Sequence, residues 1–213
     1  VDYALFRVSQ LECVIGNNKS MGTHTPGYNG LFVLTVPGES ETVFVPLYAG
    51  LNLEHYFDNR PRNPDPSVFF EPRYAPMQFT RLNDTTAELY QPPTPYYGVE
   101  SWTRFELKEP CYVDLTFRCV PRKPVFEGGY MGVFWASYIN APEDKSIYFL
   151  APGSTLEHPK WSQLCTQTHG HFSTVRQESD TWEVTVQEGQ EPLLHHAISP
   201  LRFSEPFFYG RVR

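Results

Sequence analysis

The sequence is poor in cysteine, in basic residues and in long apolar runs, and each shortage excludes a class of protein. Four cysteines in 213 residues are too few for a disulfide-stabilised scaffold, and no pair has the C-x2-C spacing of a zinc site. No apolar run approaches the ~18 residues that a membrane helix requires, so we expect a soluble protein without a membrane partner. Seventeen Lys and Arg against 24 Asp and Glu give a net charge of −7. This balance argues against nucleic acid as a partner, because basic side chains must neutralise the phosphates.

Three common catalytic or cofactor-binding motifs are also missing. The sequence contains no G-x-S-x-G, no P-loop and no G-x-G-x-x-G, so it gives no support for a nucleophilic serine, a phosphate-cradling loop or a dinucleotide site. We expect no cofactor. The chain begins at Val1, without the basic and apolar segments of a signal peptide, and we interpret it as a processed or trimmed product. Its cellular compartment and oligomeric state stay open.

Aromatic and turn-forming residues, in contrast, are abundant. Sixteen Phe, 13 Tyr and 4 Trp provide enough apolar surface for a buried core, and 20 Pro and 14 Gly divide the chain into pieces of strand length. We therefore predict an all-β, antiparallel β-sandwich, one domain over residues 1–213, with at most one or two short helices. The predicted strands cover residues 11–15, 30–36, 42–46, 77–82, 86–91, 99–107, 112–120, 130–140, 146–150, 174–177, 181–187 and 200–203. A helix is predicted after Pro159, where Trp161, Leu164, Cys165 and Thr168 have helical spacing.

The clearest pattern lies in two predicted strands that a hairpin at residues 108–110 connects. Each strand alternates between apolar and polar side chains, which assigns Phe105, Leu107, Val113 and Leu115 to the core. The opposite faces together form a polar surface that contains one indole ring, made of Glu100, Trp102, Arg104, Glu106, Asp114, Thr116 and Arg118. Such a surface is either exposed to water or lines a groove.

An indole among carboxylates and guanidinium groups suits a sugar, whose ring has an apolar C–H face for stacking and hydroxyls for hydrogen bonds. We therefore expect Trp102 and Arg104 to bind a carbohydrate substrate. Glu100 with Glu106, or either of them with Asp114, would form the carboxylate pair that glycosidases use. The alternative is a solvated face on which Arg and Glu pair across strands.

Further candidates for substrate binding are Tyr138, His171, Arg73 and His55. Tyr138 projects from the predicted strand 130–140, whereas Arg73 and His55 belong to segments that could reach the mouth of a sheet. Together with the polar strand face, they would complete a site for a small polar ligand.

A rival hypothesis is a metal-dependent, cupin-like enzyme centred on His169 and His171. The H-x-H spacing places both imidazoles on one side of an extended chain, and His195, His24 or Glu178 would supply a third ligand. Gly170 between the two histidines favours a loop instead. We therefore expect no metal ion there.

Four segments carry resemblances to known proteins: NNKSMGTHTPGYNGLFVL (17–34), LYAGLNLEHYFD (47–58), ELYQPPTPYYGVESWTRFEL (88–107) and GYMGVFWASYINAPEDKSIYFL (129–150). Over most of its length the chain resembles a group of uncharacterised bacterial proteins, which implies no activity. In strand sizes and in its polar central sheet it is similar to the galactose mutarotase-like β-supersandwich. Aldose epimerases of that superfamily use a histidine acid and a glutamate base, which implies catalytic roles for His169 and Glu100. Because members are longer, the resemblance also implies that C-terminal strands are missing here.

The favoured hypothesis is a carbohydrate-recognising protein that acts on a sugar or uronic acid, with epimerase-, lyase- or hydrolase-like chemistry. Its groove would combine Trp102, Arg104, Glu100, Tyr138 and His169. A non-catalytic carbohydrate-binding or structural module is the alternative, because it would use the same aromatic and arginine side chains without a tuned acid or base. The sequence leaves open which sugar is bound and whether the protein is an enzyme.

Overall fold

The computed structural model describes residues 1–58, 60–127, 129–140, 142–165, 172–181 and 198–211. Strands dominate these residues, and their two helices have four residues each. This confirms the prediction of an all-β protein with at most two short helices. The chain divides into two compact units, Val1–Asn140 and Ala141–Arg213. A single domain over residues 1–213 stays a prediction.

The first unit is built from antiparallel sheets. Its elements are β1 (Tyr3–Val8), β2 (Leu11–Gly16), β3 (Gly30–Thr35), β4 (Asn52–Phe57), α1 (Pro66–Phe69), α2 (Glu71–Tyr74), β5 (Gln78–Arg81), β6 (Thr86–Gln91), β7 (Val99–Lys108), β8 (Tyr112–Pro121) and β9 (Gly132–Ala136). Strands β1, β2 and β3 form one sheet and β5, β6, β7 and β8 another, each in sequence order, while β4 pairs with β9.

The main core lies between the three-stranded and the four-stranded sheet, which gives the unit its sandwich architecture. Buried apolar side chains come from both sheets: Phe6, Cys13, Ile15 and Leu31 from the first, and Phe79, Ala87, Leu89, Phe105 and Leu107 from the second. A second cluster joins Leu53 and Tyr56 of β4 to Val99. There, the ring of Trp135 on β9 packs edge-on against Phe117, with 5.1 Å between centroids.

The predicted hairpin and the sidedness of its strands are confirmed. Strands β7 and β8 pair with Trp102 opposite Arg118 and Arg104 opposite Thr116. Phe105 and Leu107 are buried on the inner face. The expected core residues Val113 and Leu115 are half-buried and pack against that core, because β8 is the edge strand of its sheet.

Two short helices lie between β4 and β5. The Asp65 carboxylate caps α1 by accepting a 2.8 Å hydrogen bond from the Ser67 amide, and Pro66 suits the first helical turn because its missing N–H would have no partner there. Helix α2 ends at Tyr74, and the residue that follows, Ala75, has an extended backbone. At this end, Asn18 donates hydrogen bonds to the carbonyls of Arg73 (3.1 Å) and Ala75 (2.7 Å).

The second unit contains β10 (Ile147–Leu150), β11 (Trp161–Leu164), β12 (Thr174–Gln177), β13 (Ile198–Phe203) and β14 (Tyr209–Gly210). Strand β10 lies between β11 and β14, and β12 pairs with β13 in parallel. The predicted helix after Pro159 is wrong. Residues 161–164 form a strand instead, because pairing with the apolar strand β10 overrides a helical spacing of only a few residues.

Three other differences concern strands of the first unit. Residues 42–46 form no strand, and Phe44 makes only an isolated bridge with Ile139. Strands β1 and β4, which the sequence pattern did not predict, are both present. Cys13, Cys111 and Cys119 are free thiols. In the part of the chain that the structure describes, no helix has the length and apolarity needed to cross a membrane.

His24 predicts a pH dependence of stability. Its buried ring stacks on Phe32, with centroids 3.6 Å apart, and its nitrogens lie 2.8 and 3.1 Å from the carbonyl oxygens of Tyr28 and Tyr48. Burial lowers the pKa of His24 from its ordinary 6.5, so the unfolded chain binds this proton more readily. We expect the free energy of unfolding to fall as the pH drops below about 6.5, and less steeply in a His24→Asn variant.

Urea denaturation at about pH 7.5 and about pH 5.5 measures this effect. His158→Asn is the matched control, since His158 is exposed and its replacement should leave the pH slope unchanged. Equal slopes for wild type and His24→Asn would show that His24 does not contribute.

Candidate functional site

The candidate site is the face of β6, β7 and β8 that points away from the core, which we call the outer sheet face. The following side chains form it: Glu88, Tyr90, Glu100, Trp102, Arg104, Glu106, Asp114, Thr116 and Arg118. Alternation along each strand directs these side chains to one side, while the residues between them enter the core. The outer sheet face therefore contains the three predicted residues Glu100, Trp102 and Arg104.

A row of three side chains crosses the middle of this face. Trp102 lies directly opposite Tyr90 on one neighbouring strand and Arg118 on the other. The rings of Tyr90 and Trp102 have centroids 5.5 Å apart, and the Arg118 guanidinium carbon lies 4.8 Å from the indole centroid. Trp102 and Tyr90 are half-buried and Arg118 is exposed, so the row combines aromatic surface with a cation that contacts water.

Glu100 is held by two donors at one end of the row. The Tyr90 hydroxyl donates to its Oε1 at 2.8 Å, and Nε of Arg122 donates to its Oε2 at 2.8 Å. The hydrogen bond from Tyr90, and secondly that from Arg122, lower the pKa of Glu100. A carboxylate held ionised in this way is a poor proton donor and a weak base at neutral pH.

The two arginines of the outer sheet face differ in their surroundings. Arg104 donates to Glu88 at 3.2 Å and forms a salt bridge with it. Arg118 forms no salt bridge with any residue that the structure describes, and its stacking on Trp102 leaves its N–H donors at the surface. It is therefore a guanidinium positioned by an aromatic ring and available to an acceptor from outside the chain.

The carboxylate pair that a glycosidase would need is not formed by Glu100. Glu106 and Asp114 face each other across the strands, and Lys108 forms a salt bridge with Asp114. Glu100 lies six residues from Glu106 along β7, a separation of about 20 Å at ~3.3 Å per residue. This exceeds the ~5 to ~9.5 Å between the carboxyl groups of glycosidases.

Tyr138 belongs to a different group, a tyrosine cluster formed by Tyr28, Tyr48 and Tyr138. Their ring centroids are 4.6 to 5.4 Å apart. The Tyr138 hydroxyl donates to Oε2 of the buried Glu54 at 2.6 Å. Burial, and secondly this hydrogen bond, raise the pKa of Tyr138. The cluster adjoins β4 and β9 and not the outer sheet face, so the structure does not bring Tyr138 to Trp102.

Arg73 and His55 also lie away from the outer sheet face. The Arg73 guanidinium carbon is 3.9 Å from the centroid of Tyr28, and its Nε donates to the Gly27 carbonyl at 3.2 Å. The His55 ring is buried between Phe69 and Phe134, with 4.5 Å between centroids on each side. Arg73 thus joins the tyrosine cluster, whereas His55 is enclosed by rings and does not line a surface.

His169 and His171, on which the catalytic acid and the metal hypothesis depend, lie outside the described residues, as does His195. His24, another proposed third ligand, is buried against Phe32. Among the side chains that the structure describes, no group of three or more His, Cys, Asp or Glu is arranged to hold a metal ion.

Sequence reasoning missed Tyr90 and Arg122 as members of this site. Tyr90 could have been found from the two predicted strands 86–91 and 99–107, since a hairpin that joins them places Tyr90 near Trp102. Arg122 follows β8, and no sequence pattern indicates that its side chain reaches Glu100.

Comparison with protein-family models, with curated proteins and with solved structures found no match to this chain.

Proposed function

We propose that this protein binds carbohydrate chains that contain acidic sugars, and that the outer sheet face is the binding surface. The observation that carries the proposal is Arg118, an exposed guanidinium that stacks on Trp102 and has no salt bridge with a described residue. The indole and the Tyr90 ring offer apolar surface to a sugar ring. The free guanidinium donors match a carboxylate on that sugar or its neighbour.

Binding without catalysis is the form of the proposal that the site chemistry supports best. Both oxygens of Glu100 accept hydrogen bonds, from Tyr90 and from Arg122, and its lowered pKa disfavours proton donation. A mutarotase-like reaction would require a glutamate base and a histidine acid. No histidine lies on the described outer sheet face, so the proposal includes no ring-opening or bond-cleaving step.

Replacing Trp102 or Arg118 tests this proposal. Trp102→Ala removes the stacking surface and the support of Arg118, and Arg118→Gln removes the charge, so each variant should bind acidic polysaccharide about tenfold more weakly. Isothermal titration with alginate, hyaluronan and polygalacturonate provides the measurement. In methyl-esterified polygalacturonate the carboxylates are blocked. The affinity for this polymer should fall in Trp102→Ala but not in Arg118→Gln.

Two variants serve as controls for these measurements. Arg81 also stacks on an aromatic ring, that of Phe6 at 5.1 Å, but it has a salt bridge to Asp84, so Arg81→Gln should not alter binding. Tyr112→Ala removes an exposed ring at the first residue of β8 and should have little effect. If none of the three acidic polymers binds, or if the Trp102 and Arg118 variants bind as wild type, the proposal is wrong.

A further inference from the structure

Two other arginines, Arg62 and Arg73, form no salt bridge with a described residue and approach the same ring, that of Phe70. Both guanidinium groups lie against aromatic rings. The Arg62 guanidinium carbon is 4.3 Å from the Phe69 centroid and 6.0 Å from that of Phe70, and that of Arg73 is 4.9 Å from Phe70. Six arginines elsewhere in the described chain form salt bridges, Arg7, Arg60, Arg81, Arg104, Arg122 and Arg176. A chain with net charge −7 has carboxylates in excess, yet none of the described ones forms a salt bridge with these two neighbouring arginines.

The acidic residues between positions 58 and 74 are all engaged elsewhere. Asp58 binds Arg60 through a hydrogen bond of 2.8 Å from Nε. Asp65 caps helix α1, and the buried Glu71 accepts hydrogen bonds from the amides of Tyr96 and Tyr97. The local fold therefore supplies no counterion to Arg62 or Arg73.

We propose that Arg62 and Arg73 form an oxyanion-binding site beside Phe70, for the phosphate or carboxylate group of a small molecule. The distances from the two guanidinium carbons to the Phe70 centroid add up to about 11 Å. This sum is the upper limit of the separation between the two carbons. Within this limit one oxyanion can accept from both side chains where they approach each other, because each N–H···O⁻ bond extends about 2.8 Å and Arg62 is exposed. Stacking on the rings fixes the orientation of each planar fork, which reduces the entropy lost on binding.

The site is independent of the carbohydrate proposal, because it uses neither Trp102 nor Arg118. Arg73 is anchored through its Nε to the Gly27 carbonyl, which leaves both terminal nitrogens as donors. Arg62 approaches Phe70 from the loop that precedes α1. The geometry favours a tetrahedral or planar oxyanion over a cation or an uncharged ligand, since no described carboxylate neutralises either arginine.

Equilibrium dialysis with radiolabelled inorganic phosphate tests the site. The buffer contains about 0.15 M chloride to screen diffuse electrostatic attraction. D-glucuronate is added as a competitor to determine whether a carboxylate binds at the same place as phosphate. We expect saturable binding of one phosphate per chain. Arg62→Gln and Arg73→Gln should each weaken it by about tenfold, and Arg73→Lys should also weaken it, because lysine keeps the charge but loses the fork. If glucuronate displaces phosphate, the site binds carboxylates as well as phosphate. If it does not, the site binds phosphate and not carboxylates.

Arg7→Gln is the matched control, since Arg7 is exposed but has a salt bridge to Glu12, and it should bind phosphate as wild type does. Circular dichroism of each variant establishes that it is folded. The proposal is overturned if wild type shows no saturable binding, or if the Arg62→Gln, Arg73→Gln double variant binds as tightly as wild type. Loss of phosphate binding in Arg118→Gln alone would also overturn it, by placing the anion on the outer sheet face.

Discussion

Replacing Phe105 with alanine should lower the free energy of unfolding by about 3 to 5 kcal/mol. The ring is fully buried in the middle of β7, in the core that joins the four-stranded sheet to the sheet of β1, β2 and β3. Truncation at this position removes the apolar contacts of the ring and leaves a cavity that two packed sheets cannot close. Denaturant titration monitored by circular dichroism measures the loss.

Leu115 provides an internal control for this prediction, because it is the direct cross-strand partner of Phe105. Its side chain is only half-buried at the edge strand, so Leu115→Ala should cost about 1 to 2 kcal/mol. Equal losses for the two variants would contradict the burial difference between the central and the edge strand.

Strands with alternating side chains and clear turns could be predicted from the sequence. The predicted bounds of β6 and β12 match the structure, and those of β7 and β8 differ by one residue at one end. For β6, β7 and β8 a turn signal and a period-2 pattern indicate the same element. The resulting faces place Glu100, Trp102 and Arg104 on one surface without reference to any tertiary contact.

Strand β4 could not be predicted because its pattern contradicts its burial. Asn52, Glu54 and His55 are polar, yet all three are buried. Their polar atoms find partners far away in sequence: the Asn52 side chain accepts from the Asn29 amide at 3.0 Å, and Glu54 accepts from Tyr138. A strand whose polar side chains are satisfied by other elements shows neither alternation nor a continuous apolar run.

The composition of the outer sheet face was predictable, but the chemical state of its charges was not. Sequence spacing left Glu100 as a catalytic candidate, because nothing local indicates that Tyr90 and Arg122 hold its two oxygens. Likewise, Arg104 and Arg118 are equivalent in the sequence pattern. Only the pairing of Arg104 with Glu88 distinguishes a neutralised arginine from one that is available to a ligand.

Replacing Glu71 with alanine should lower the free energy of unfolding by about 3 to 5 kcal/mol, although Glu71 lies in a helix of four residues. Its buried carboxylate accepts hydrogen bonds from the backbone amides of Tyr96 and of Tyr97, the latter at 3.0 Å. These amides lie in the connection between β6 and β7, so one side chain ties α2 to the four-stranded sheet. Without it, two N–H donors lose their acceptors, and each buried unsatisfied donor costs about 1 to 3 kcal/mol in addition to the packing lost.

Glu71→Gln distinguishes the hydrogen bonds from the packing, because the amide keeps the shape but has one oxygen instead of two. It should lose about half as much as Glu71→Ala, since one donor keeps its acceptor while the other meets an NH2 group. Glu39→Ala, at an exposed loop position, should change stability by less than about 0.5 kcal/mol. If Glu71→Gln proved as stable as wild type, the carboxylate would not be the acceptor that holds residues 96 and 97, and the link between α2 and the sheet would have to depend on packing alone.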